Sequence, residues 1–381
     1  MNLGLVLTGG GARAAYQVGV IQAIAEISKG KHIPFNVITG SSTGAINGSY
    51  LMSYAEDFRE AAQGLWDLWL NLHTEKVFRT DPSSIAIAGS RWIGTLGLGN
   101  LVSQKLKTNF LLDTAPLRKL LKSELQLDKL PKMFKKGILR GVSVSSTNYS
   151  TGTAISFYDG VEELSPWVRS TRLGIKTSLT IDHILASSAI PIFFPPVVID
   201  GIYYGDGSIR LTSPLSPAIH LGADRIIAVG IQHHRTHDEI IQSNQIFAKG
   251  DLTLAEISGM LLNAVFLDSL ETDIERAERI NGTLSIIELE HRLKLPSKLN
   301  HIPILALRPS QDLGELAIGK LHEFPKIIRF MLRGLGAKEN KGWDLLSYLA
   351  FEKAYTNQLM ELGYFDTIRK KEIITEFMLA P

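Results

Sequence analysis

Residues 36–47, NVITGSSTGAIN, run from a β-branched strand signal through five small residues into a helix-like segment. Gly40-Ser41-Ser42-Thr43-Gly44 fits G-x-S-x-G only with Ser42 at the centre. That pattern marks a sharp turn from strand to helix, with the serine at its tip. A glycine two residues away on either side lets strand and helix approach without β-carbon clashes. The start of the following helix sets N–H groups and a positive dipole end beside any oxyanion formed there. The same residues also suit a plain helix N-cap, in which Ser or Thr satisfies the first N–H groups.

Working outward, Leu3 to Leu7 is a short apolar run bounded by glycine, as in a buried parallel strand. Gly9, Gly10 and Gly11 lead into Ala12 to Ser28, where small and apolar residues recur at helical spacing. A second strand, Phe35 to Thr39, and a helical segment, Gly44 to Ala55, complete a βαβα unit. Such a unit implies an α/β fold with a parallel sheet and helices on its faces. Parallel neighbours end side by side, so the glycine loop and the Ser42 turn should lie together. Gly9-x-Gly11-x-x-Ala14 also fits a dinucleotide fingerprint, which calls for an acid at the end of strand two. Thr39, Gly40 and Ser41 stand there instead.

The stretch 56–135 reads as mostly helical. Later strand candidates are Ile138–Ser145, Ala154–Tyr158, Val197–Tyr204, Arg225–Ile231, Leu284–Leu289 and Ile304–Leu307. Glu256 to Ile280 reads as one long amphipathic helix, and the final 60 residues as helical and charge-laced. This predicts one large unit over 1–310 with a helical C-terminal extension over 311–381 packed on it. With 40 basic and 38 acidic residues the chain is nearly neutral, which argues against nucleic acid as a partner. The absence of cysteine excludes disulfides, thiolate metal sites and cysteine nucleophiles. No basic leader precedes the first apolar run, and no stretch reaches the ~18 apolar residues of a membrane span. The expectation is a cytoplasmic protein, at most peripheral to a membrane, with Ile85–Val102 as a candidate flap or interfacial element.

A nucleophilic serine needs a base. His291, His301 and His322 follow in a chain order that a hydrolase triad could use, though each suits the surface. The run from His233 to His237 offers ring nitrogens, but Arg235 within it disfavours a cation, so no metal is expected. Asp206, in the apolar and aromatic stretch ASSAIPIFFPPVVIDGIYYGDGSIR, is the stronger candidate. Burial there would raise its pKa towards the range where a carboxylate takes a serine proton. Asp200-Gly201 fits a hairpin turn, leaving Asp206-Gly207 freer for chemistry.

With these residues placed, the chain resembles the patatin-like phospholipase family. The match rests on Gly9-Gly10-Gly11-Ala12-Arg13, on Gly40-x-Ser42-x-Gly44, on Ala186 to Pro191 through Phe194-Pro195-Pro196, and on Asp206-Gly207. The segment 256–280 is similar to a helix of bacterial-type members. The resemblance implies a three-layer α/β/α sandwich with a mostly parallel central sheet. It implies hydrolysis of phospholipid or other acyl esters by a Ser–Asp dyad through an acyl-enzyme, without cofactor or metal, in transient contact with a membrane surface. Ser42 would be the nucleophile and Asp206 the base. Gly9, Gly10, Gly11 and the N–H of Thr43 would form the oxyanion hole, with Arg13 bracing the loop and Gly40, Gly44 and Gly207 supporting the motifs. Two departures are Ala14, where glycine is common, and Ser208 after Asp-Gly. Phe193 and Phe194 are candidates for an acyl pocket. An acyltransferase or thioesterase using the same dyad, and a non-catalytic nucleotide-binding module, are the alternatives.

Overall fold

The structure is a computed structural model that describes residues 1–81, 83, 110–234, 237–243, 251–288, 291, 299–338 and 341–379. The proposed flap at 85–102 lies outside these residues. The strands are β1 (Leu3–Leu7), β2 (Val37–Ser41), β3 (Gly141–Asn148), β4 (Ala154–Gly160), β5 (Trp167–Arg169), β6 (Arg172–Lys176), β7 (Val197–Ile199), β8 (Ile202–Asp206), β9 (Arg225–Val229) and β10 (Ile304–Leu307). They form one sheet in the order β10-β9-β1-β2-β3-β4-β6-β5, with β8 pairing β3 and β7. The five strands from β10 to β3 are parallel, and β4 and β8 run antiparallel to β3.

The helices that matter for the site are α1 (Ala15–Ile27), α2 (Thr43–Ser53), α3 (Phe58–Leu70), α4 (Ala115–Glu124), α5 (Ile181–Ser187), α6 (Ser216–His220), α7 (Leu254–Phe266), α8 (Asp268–Ile286), α9 (Lys326–Gly334), α10 (Trp343–Leu349) and α11 (Lys353–Ile368). They form two layers because the strand residues alternate between two cores. Leu3, Leu5 and Leu7 of β1, Ile38 of β2 and Ile227 and Val229 of β9 join the core shared with α1, α3 and α11. Val6, Val37, Ile226 and Ala228 face the other way, onto α6 and α8. The fold is thus a mixed α/β sandwich with helices on both sheet faces and a helical C-terminal region. Part of that region packs on α1, where the Tyr16 hydroxyl meets Asp366 at 3.3 Å.

Several sequence expectations need correction. Residues 284–286 are the last turn of α8, not a strand: Ile286 and Ile287 favour a strand, but the helix begun at Asp268 runs as far as Ile286 and buries Leu284. The segment 256–280 is two helices, broken at Leu267. The second strand starts two residues later than its apolar run suggested, because Phe35 turns into the core against Phe58, 5.9 Å between ring centroids. The β5–β6 hairpin, rich in arginine, gave no strand signal in the sequence.

The register of the sheet brings the two halves of the site together. At the end of β2, Ser41 is opposite Ser145 of β3. The next residue of β3, Ser146, is opposite Asp206 on the incoming β8. The last residue of β8 therefore arrives where β2 has just stopped, beside Ser42.

Candidate active site

Ser42 has φ 52° and ψ −130°, a backbone conformation that a side chain rarely adopts and that costs on the order of 1–3 kcal/mol. Bonds on both sides of the residue hold it there. Its N–H donates to Ser187 Oγ at 2.9 Å, and Ser187 Oγ donates onward to the Ser145 carbonyl at 2.5 Å. Its carbonyl accepts from the N–H groups of Ala45 and Ile46 in the first turn of α2. Ser187 lies in a stretch whose importance was legible, but its duty depends on two strands far away in the chain.

The Ser42 hydroxyl donates to Asp206 Oδ2 at 2.6 Å, and both residues are buried, with Ser42 1% exposed. Asp206 Oδ1 accepts from the Ser208 N–H at 2.9 Å. The backbone of Asp206 is pinned as well: its N–H donates to the Ala189 carbonyl at 3.0 Å, and its carbonyl accepts from Thr147 Oγ1 at 2.7 Å. Burial pushes the carboxyl up to about 7, against the opposing pull of the bonds from Ser42 and Ser208. The result is a carboxylate with basicity near neutrality, already hydrogen-bonded to a hydroxyl held in a strained turn.

The glycine loop passes over this pair. A Cβ on Gly9 would fall 2.6 Å from Ser42 Cβ and 2.5 Å from Ser208 Oγ. Gly11 has φ 54° and would strike the Tyr348 carbonyl at 2.2 Å, while Gly10 abuts Ile231. Gly11 opens a 3-10 turn (Gly11–Ala14) and Thr43 opens α2, so both N–H groups fall outside the intrahelical ladders. Gly40 and Gly44 bring strand and helix into contact, and Gly207 lies on the Ser145 carbonyl.

Arg13 is fully buried and its guanidinium is turned towards α7 and α10. Its Nη2 pairs with Asp344 Oδ1 at 2.7 Å, Nε donates to Ser347 Oγ at 2.7 Å and Nη1 to Asn263 Oδ1 at 3.1 Å. The charge also lies over the Tyr348 ring, 4.2 Å from its centroid. These partners of Arg13 are residues that the sequence had not singled out.

An apolar cavity lies along α2, with Gly11 and Thr43 in its lining. Thr43, Ile46 and Tyr50 line it at helical spacing, which spans about 10 Å of helix axis. Trp69 of α3, Leu121 of α4, Phe194 and Phe351 close its sides, and Glu124 and Leu125 its far end. Phe194 thus lines the cavity, whereas Phe193 packs partly buried against the core. Of the candidate histidines, His291 sits 3.7 Å from Glu288 and His322 Nδ1 donates to the Gly319 carbonyl, and both are exposed. His233 meets the Pro309 carbonyl, and among the described residues no group of three or more ligating side chains could hold a metal ion. No described helix is long and apolar enough to cross a membrane.

The family model described as Patatin-like phospholipase matches residues 5–219. Over 56 residues, 15% of this chain, the sequence is 50% identical to "Lysophospholipase nte1" of Aspergillus terreus (strain NIH 2624 / FGSC A1156). That match spans 3% of the relative's length. Among solved structures, VipD from Legionella pneumophila aligns with a TM-score of 0.37 and 14% identity, covering 98% of this chain and 67% of that one. Human GIVD cytosolic phospholipase A2, solved with a methyl gamma-linolenyl fluorophosphonate inhibitor and terbium chloride, aligns with a TM-score of 0.44 and 12% identity, covering 99% of this chain and 59% of that one.

Proposed function

Because the chain belongs to the patatin-like phospholipase family, we propose that it is a lipid acyl hydrolase of phospholipase A or lysophospholipase type, working through Ser42 and Asp206. The observation that carries this reading is the 2.6 Å hydrogen bond from the Ser42 hydroxyl to a buried carboxylate of raised pKa. Asp206 takes the hydroxyl proton as Ser42 Oγ attacks the ester carbonyl carbon. The N–H groups of the glycine loop and of Thr43 receive the oxyanion, with positive helix ends behind them. Collapse of the tetrahedral adduct expels the alcohol, which leaves with the proton from Asp206. Water then attacks the acyl-enzyme, giving its proton to Asp206, and as the fatty acid departs Asp206 returns that proton to Ser42 Oγ. The apolar cavity along α2 is the natural seat for the acyl chain. On this reading residues 1–310 are the hydrolytic domain, and 311–381 an extension that steadies the glycine loop through Arg13.

An alkyl fluorophosphonate tests the nucleophile. Mass analysis should find one phosphonyl group on the Ser42 peptide, with aryl-ester hydrolysis lost in proportion to labelling. Labelling of another serine, or none, would overturn the assignment. The base is tested by pH. Asp206 acts only when ionised, and its pKa is raised to about 7. On a short-chain aryl ester, kcat/KM should therefore fall about tenfold per pH unit below that value and level off above it. A plateau that continues well into acid would point to a different base.

A further inference from the structure

We propose that the outward face of α7, together with the basic segment beside it, is where the protein meets an anionic lipid bilayer. A surface helix ordinarily turns polar residues to solvent. In α7 the inward side carries Ala255, Gly259 and Phe266, all buried, with the Phe266 ring tilted against Tyr348, 5.3 Å between centroids, and reaching towards Gly9. The outward side is apolar as well: Leu254 is 61% exposed, Met260 64% and Leu261 57%, with Ile257 exposed between them. The single charged residue of the helix, Glu256, is used in a capping box with Thr253. The stripe thus holds no charge to keep it in water.

Cations border it. The Ala255 N–H donates to the Leu335 carbonyl at 2.9 Å, and Lys341 Nζ donates to the Asp251 carbonyl at 3.0 Å. These bonds fix the start of α7 against the end of α9 and the turn that follows. Helix α9 contains Lys326, Arg329 and Arg333 and no acid, and its Phe330 is 73% exposed. In a chain whose net charge is only +2, this is a local concentration of positive charge. An exposed apolar stripe flanked by lysine and arginine has the composition of a helix that lies in a membrane interface. Charge also decides between occupants. A second copy docked face to face would set one cationic rim against another, whereas an anionic surface complements it. The choice of a bilayer rests on the lipid acyl hydrolase reading, but the face itself rests on exposure and charge alone.

Sedimentation with phosphatidylcholine vesicles, with and without phosphatidylserine, tests it. The protein should bind the phosphatidylserine vesicles more tightly, and added salt should weaken that preference. Met260→Glu with Leu261→Glu should reduce binding to both vesicle types at least about tenfold. Arg333→Glu together with Lys338→Glu, the latter exposed in the turn that follows α9, should remove only the preference for phosphatidylserine. Hydrolysis of a soluble short-chain aryl ester should stay unchanged in both variants. Full vesicle binding by the Met260/Leu261 variant, or wild-type binding indifferent to phosphatidylserine, overturns the proposal. So does a wild-type dimer that this variant converts to monomer, since the face would then belong to a second copy. Vesicle binding as expected without hydrolysis of any ester would leave the face standing and remove the enzyme reading.

Discussion

Asp206→Asn is expected to lower kcat/KM on a short-chain aryl ester by roughly 10²–10⁴-fold while raising the melting temperature in mildly alkaline buffer. The two effects share one cause. Asparagine fits the same space and its oxygen can still accept from the Ser208 N–H, leaving its NH2 to donate to Ser42 Oγ, but it cannot take a proton, so Ser42 loses its activation. The stability gain follows from the raised pKa. In the unfolded chain the carboxyl ionises near 3.8, and in the buried site near 7. Between those values the unfolded state sheds its proton and the folded state keeps it, so the fold weakens as pH rises and the loss is complete above about 7. At 1.36 kcal/mol per pKa unit the full cost is about 4 kcal/mol. The variant escapes this cost, so its melting advantage should be largest above neutrality and shrink towards pH 4. Ser42→Ala should lose about 10⁴-fold or more in rate. An Asp206→Asn protein that keeps most of its rate, or that melts below the wild type in alkali, would dislodge Asp206 from the role of base.

Gly44→Ala should destabilise the fold by about 3 kcal/mol or more and abolish hydrolysis with it. A methyl at this position would lie 2.3 Å from the Leu7 carbonyl oxygen and 2.5 Å from that of Thr8. Both obstacles are backbone of the central strand and its exit, so neither can swing aside as a side chain might. Relief requires α2 to lift from β1, and that movement withdraws the Thr43 N–H and re-aims Ser42. Gly282→Ala is the matched control. Gly282 lies exposed within α8 with nothing within 4 Å of the added carbon, so the same substitution should stabilise by about 0.5–1 kcal/mol. Thermal unfolding of the two variants decides the matter. If they shift the melting temperature alike, the contact at Gly44 is not the constraint described.

The parts of this molecule that could be read in its sequence are those whose cause is local. Strand β1 and strand β10 begin and end where their apolar runs do: β1 is buried throughout and the partly buried β10 packs against both cores, so each writes a continuous signal. The turn at Ser42 was legible because its strain demands small residues on both sides. Asp200-Gly201 was legible as a hairpin turn for the same reason, with positive φ at both positions. What escaped depends on distance along the chain. Ser187 steadies Ser42 across 145 positions. Arg13 finds its acceptors 250 to 334 positions away. No period or spacing announces such partners. The end of α8 was misread because an apolar stretch with two adjacent isoleucines looks like strand until an upstream helix claims it. The split at Leu267 was missed because apolar spacing continues across it.

The clasp on Arg13 has a consequence for the order in which the molecule matures. Contacts that close such long stretches of chain are slow to form and come late. A nascent polypeptide already has its nucleophile, its carboxylate and the strands between them long before residues 344–348 leave the ribosome. Until that late segment docks, the arginine of the loop bearing Gly10 and Gly11 has only Asn263 among its side-chain acceptors. On the proposed function, esterolytic competence would wait for that docking, after the strands that carry Ser42 and Asp206 have paired.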